Sequence, residues 1–135
     1  MTQNLSFLQS LKKVFKRAWY LPLTASAPLI MLFFFGFFMK TTDEYDCAIR
    51  ILEQSPAVRR EIGLPIEAGL FAWTSYFESG GAMRQGAFST AISGPRGKGK
   101  VRVEFYRAPV GATLYVRLET REGETDVYNG PYVCP

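Results

Sequence analysis

The string Gly94-Pro95-Arg96-Gly97-Lys98-Gly99-Lys100-Val101 comes nearest to a chemical motif in this chain. It satisfies the G-x-x-x-x-G-K part of a phosphate-cradling loop, whose backbone amides and lysine hold an anion. Val101 stands where that loop needs a Ser or Thr to meet magnesium. The residues that follow alternate like a strand, whereas the cradle needs a helix whose terminal amides point at the phosphate. A hairpin turn whose glycines accept positive φ accounts for the same residues. Arg96, Lys98, Lys100 and Arg102 also gather charge there. Two readings of that charge stand: a basic fingertip for an acidic partner surface or lipid headgroups, or an edge strand kept soluble. Gly94, Pro95, Arg96, Gly97, Lys98, Gly99, Lys100 and Arg102 are the candidate interaction residues.

Other reactive groupings are sparse. The chain has no histidine, so the commonest general base and the commonest metal ligand are both missing. Serines and threonines are present without a base to activate them. Glu67, Glu78, Glu104 and Glu119 fall on positions that read as exposed strand. Arg59-Arg60-Glu61 reads as a solvated helix face. The expectation is a protein that is not an enzyme, with no cofactor, no metal and no small-molecule substrate. Cys47 and Cys134 are the two cysteines. They are either a disulfide, worth on the order of 4 kcal/mol in the chain-entropy model, or two unrelated small apolar residues. Sequence gives no distance between them. Phe71, Trp73, Tyr76 and Phe77 read as core and strand-face aromatics rather than a cofactor box.

The elements that must position these residues fall into two chemically distinct parts. Lys12, Lys13, Lys16, Arg17 and Lys40 are the only charges up to Lys40, and none is acidic. The other eleven basic residues face all twelve acidic ones, so the high net charge belongs to the arm and not to the domain. A nucleic-acid partner is therefore not expected, since such a domain carries its own positive excess. Residues 1–19 read as a basic arm with Leu5, Leu8, Leu11 and Phe15 along one side of a helix, suited to an anionic leaflet. A frayed tail that only sets orientation is the other reading.

Residues 20–40 read as a transmembrane helix. Tyr20 to Met39 carries no charge and ends in a phenylalanine-rich run. Twenty residues at about 1.5 Å each reach roughly the 30 Å of a hydrocarbon core. Pro22 and Pro28 predict a kink or a deeper start in its first half. Gly36, small among large neighbours, suggests a seat for another helix. Basic residues before the span and Asp43, Glu44 and Asp46 after it put the N-terminus inside and residues 41–135 outside. A cleaved signal peptide is the rival; the apolar run is long for one, and no small-x-small site follows Met39.

Residues 41–135 read as an α+β domain: one or two helices packed on an antiparallel meander sheet. Thr42 or Asp43 caps a helix to about Gln54, with acidic residues in its first turn favouring the macrodipole. Ser55-Pro56 restarts a short helix that stops at Gly63. Strands are expected over 66–77, 83–93, 100–106, 113–120 and 125–128. In the third and fourth, Val101, Val103, Phe105, Leu114, Val116 and Leu118 point inward. The segment Asn129–Pro135 matches nothing recognisable.

Ser55-Pro56-x-Val58…Gly63-x-Pro65-Ile66 and Ile92-x-Gly94-Pro95-x-Gly97-x-Gly99-x-Val101-x-Val103, after a single N-terminal span, resemble the cytochrome oxidase complex assembly protein family. The likeness covers about residues 41–120. It implies a fold similar to a regulatory subunit of the mitochondrial presequence translocase and a non-catalytic, chaperone-like role. Its partners would be membrane lipid and integral membrane respiratory subunits. The family has no catalytic residues to carry over, so Gly94, Pro95, Gly97 and Gly99 carry over only as a shaped turn. The short basic arm suits a bacterial inner membrane with the domain periplasmic; the mitochondrial inner membrane, facing the intermembrane space, is the alternative. A permanent accessory subunit of a larger membrane complex is the second functional expectation.

Overall fold

A computed structural model describes residues 3–134, without the side chains of residues 3–8, 11 and 19. It divides into two units, one up to Phe33 and one from Phe34 onward. The first holds most of helix α1, which runs Gln3–Gly36 and continues through Pro22 and Pro28. From Lys12 to Gly36 it is long and apolar enough to cross a membrane, and Leu21, Leu23, Leu29, Phe33 and Phe35 are all more than half exposed. Leu5, Leu8 and Leu11, on which the amphipathic arm rests, lie outside the described side chains, as does Trp19.

The second unit is α+β. A 3-10 turn, η1 (Phe38–Thr41), leads into α2 (Asp43–Gln54) and α3 (Pro56–Glu61). Five strands follow: β1 (Glu67–Gly80), β2 (Met83–Ser93), β3 (Lys98–Ala108), β4 (Gly111–Thr120) and β5 (Gly123–Pro131). They pair antiparallel in chain order, a meander with β1 and β5 as its edges. Thr42 caps α2 by accepting from the Tyr45 amide at 3.4 Å. Ser55 caps α3 through the Val58 amide at 3.5 Å, with Pro56 at the first helical position where its missing N–H costs nothing. Each cap satisfies a donor that a helix start would otherwise leave open.

The period-2 pattern sorts the sheet into two faces. Phe88 and Ile92, Val101, Val103 and Phe105, and Leu114, Val116 and Leu118 pack under Tyr45, Ala48, Leu52, Val58 and Ile62 of the helical segment. The opposite face, with Tyr76, Gln85, Glu104, Tyr106, Tyr115 and Arg117, carries no helix of this unit among the described residues.

Three features differ from expectation, each for a packing reason. The apolar segment does not stay helical to Met39: α1 ends at Gly36, and Met39 is fully buried in the domain core, with Phe38 edge-on to Phe77 at 5.4 Å. Gly36 does not offer a seat to another helix. A Cβ there would lie 2.8 Å from Cδ1 of Phe71, so the sheet already occupies that space. Of the aromatics expected in the core and on strand faces, Trp73 and Tyr76 take the faces: they are 47% and 49% exposed on β1, an edge strand. The C-terminal segment is part of the fold. β5 runs to Pro131, and Tyr132 donates its amide to the Ala112 carbonyl at 3.0 Å.

Candidate interaction surfaces

The glycine-rich turn between β2 and β3 closes on itself, with the Gly94 amide donating to the Gly97 carbonyl at 2.9 Å. β3 starts directly at Lys98, so a strand stands where a phosphate cradle would place a helix. The turn packs on the connection between α3 and β1. The Arg96 amide donates to the Ile62 carbonyl at 2.9 Å, and a Cβ on Gly94 would sit 2.6 Å from that same oxygen. Backbone oxygens cannot swing aside, so only glycine fits at position 94. The opposing connection turns at Gly63 and contains a cis Leu64–Pro65 peptide. The two sequence motifs, around 55–66 and 92–103, therefore meet in space through their backbones.

The four cations expected as one fingertip divide between two surfaces. Arg96 and Lys98 line a groove of about 770 Å³ at one end of the sheet, with Arg60, Arg121, Glu61 and Glu122. Arg60 lies 3.9 Å from Glu61 there, so the groove holds both signs. Lys100 and Arg102 lie on the helix-free face, where their cross-strand neighbours on β4 are Glu119 and Arg117. Arg102 pairs with Glu104 at 3.3 Å. Arg117 is held by Glu124 at 2.8 Å and by Asp126 at 2.9 Å, and Asp126 also accepts from the Tyr115 hydroxyl at 2.6 Å. The Tyr115 hydrogen bond, and then Arg117, hold the Asp126 carboxyl below the usual carboxylate range, while the same bond pushes the Tyr115 hydroxyl up. This face is charge-balanced rather than basic. Around Glu104 it forms a shallow depression of about 190 Å³ edged by Tyr76, Gln85, Tyr106, Tyr115 and Asn129.

Sequence reasoning missed the charge cluster at the far end of the sheet. Glu44 is fully buried and reaches Arg107 at 3.0 Å and Arg84 at 3.3 Å. Its place in the first turn of α2 read as a macrodipole contact, because nothing local marks arginines forty and sixty-three residues away. Arg107 also lies over the Tyr132 ring at 4.6 Å, and its hydrogen bond to Glu44 raises its already high pKa. Two residues beyond Tyr132, Cys134 is joined to Cys47 of α2, with Cα atoms 5.7 Å apart. The reading of two unrelated cysteines is therefore replaced: helix α2 and the end of the chain are tied both ionically and covalently. Among the described residues no three His, Cys, Asp or Glu gather as a metal site.

Comparisons with family models, curated proteins and solved structures give no match. The likeness to the oxidase-assembly family thus rests on the sequence motifs alone.

Proposed function

We propose that this chain is a membrane-anchored, non-catalytic interaction module that binds partner subunits through the helix-free face of its sheet. The observation that carries the reading is that face itself. It is a broad five-strand surface with Tyr106, Tyr115, Arg102 and Arg117 exposed or half exposed, the residue types that anchor protein interfaces. Its charges are paired locally, which suits recognition by fit better than by bulk attraction.

Retention of α1 as an anchor is supported by Met39 and Phe38. Cleavage after the apolar run would remove a fully buried side chain from the core. The Cys47–Cys134 bond fits a domain exposed to an oxidising compartment, as the basic residues before the span also suggest. On that basis the domain lies in the bacterial periplasm, or in the intermembrane space if the protein is mitochondrial. The motif likeness points to assembly of cytochrome c oxidase or another respiratory complex as the process served. A permanent accessory subunit is less favoured, since Gly36 is occupied by Phe71 and offers no helix seat.

Purification of the full chain in mild detergent tests the reading. Respiratory subunits should co-elute in less than stoichiometric amounts, and Tyr106→Ala with Tyr115→Ala should deplete them, each hot-spot loss being worth about 2 kcal/mol. Recovery of no respiratory subunit would remove the assembly role; stoichiometric retention would turn the module into a subunit.

A further inference from the structure

The two edges of the sheet are built differently. β5 carries Glu124, Asp126 and Pro131, the charges and proline that keep a free edge from pairing with another chain. β1 has no charged residue from Ala68 to Phe77, and exposes Leu70 (70%), Trp73 and Tyr76 along it. An apolar edge of this length in water invites aggregation. Something covers it.

The occupant follows from what lies beside that edge. Gly36, the last residue of the apolar helix, is buried against the Phe71 and Trp73 rings, with its would-be Cβ 2.8 Å and 3.3 Å away. The edge thus begins beside the residue that closes α1. A partner strand fits the edge poorly. The ladder is broken by bulges at 68–72 and 74–76, and the Lys40 ammonium already occupies the Gly69 carbonyl at 2.7 Å and reaches that of Leu70 at 3.4 Å. Trp and Tyr are the side chains that settle at a membrane–water interface. Lys40 there would place its charge at headgroup level.

Building on the anchored reading above, we infer that β1 is a second membrane contact: Leu70, Trp73 and Tyr76 lie in the headgroup and upper acyl layer. One edge of the sheet is protected by lipid and the other by charge.

The test uses the full chain with Trp19→Phe, leaving Trp73 as the sole tryptophan. The protein is reconstituted in phosphatidylcholine–phosphatidylglycerol vesicles whose acyl chains carry bromine near the headgroup or near the terminus. Trp73 emission should be blue-shifted and lose more intensity to shallow bromine than to deep bromine. Adding Leu70→Asp should shift that emission back toward the red while the protein still floats with the vesicles. Flotation with water-like, unquenched Trp73 overturns this inference and leaves the anchor standing. Unquenched Trp73 that turns blue only when a co-purifying protein is added assigns the edge to that protein and overturns lipid contact. Failure to float, or release by carbonate, removes the anchor and this inference together.

Discussion

Oε1 of Glu44 lies 3.0 Å from Nη1 of Arg107, with the carboxylate wholly buried and the guanidinium about a third exposed. Arg84 approaches the other oxygen at 3.3 Å and is similarly exposed. The cluster is lopsided: the anion depends entirely on its partners for solvation, and the cations do not. Removing one side is therefore unlike removing the other.

Replacing both arginines, Arg84→Met with Arg107→Met, strands a carboxylate without water or counter-charge and should cost about 3–5 kcal/mol of stability. Glu44→Gln leaves two arginines that can turn to solvent and should cost about 1–3 kcal/mol. Urea unfolding of the full chain in micelles measures both. Equal losses would mean the carboxylate reaches water in solution.

The Cys47–Cys134 bond spans 87 residues and ties α2 to the end of the sheet. Cys47→Ala with Cys134→Ala should lower stability by about 2–4 kcal/mol. Protease should then cut first in the segment after Pro131, which would have lost its covalent tie. Free thiols in non-reduced, exported protein would contradict the bond.

Gly94→Ala meets two backbone oxygens, of Ile62 and Gly63, at 2.6 Å and 2.7 Å, and should cost about 1–3 kcal/mol. Arg96→Ala with Lys98→Ala changes exposed side chains only and should stay within about 0.5 kcal/mol for each substitution. Thermal unfolding separates the two. A stable Gly94→Ala variant would show that the turn is looser than its packing implies.

Asp126 should titrate below an ordinary aspartate, because its ionised form accepts from Tyr115 and Arg117. A folded-state value below the unfolded one favours folding once pH is above the ordinary carboxylate value. That contribution fades as pH falls through the depressed value. Carboxyl-carbon NMR titration reads the midpoint directly, and Tyr115→Phe should move it upward. A midpoint unchanged by that substitution would show that the hydroxyl does not hold the carboxylate.

Local signals carried most of the fold. The caps at Thr42 and Ser55, the β2 strand, and the inward set Val101, Val103, Phe105, Leu114, Val116 and Leu118 were all readable from cap chemistry and period-2 alternation. Misreadings came where tertiary packing decided. Met39 is as hydrophobic as a lipid-facing residue, so composition alone cannot tell the core from the bilayer. Glu44 reads as a first-turn macrodipole acid because its arginines are distant in sequence. The basic cluster was legible as residues, yet which of them line the end groove depends on the turn folding back beside α3.

Only Phe37 separates the end of α1 at Gly36 from the start of η1 at Phe38. One residue reaches about 3.5 Å even when extended. On the anchored reading proposed above, the folded part is tethered within a few residues of the bilayer, and a partner has to meet it at the membrane surface.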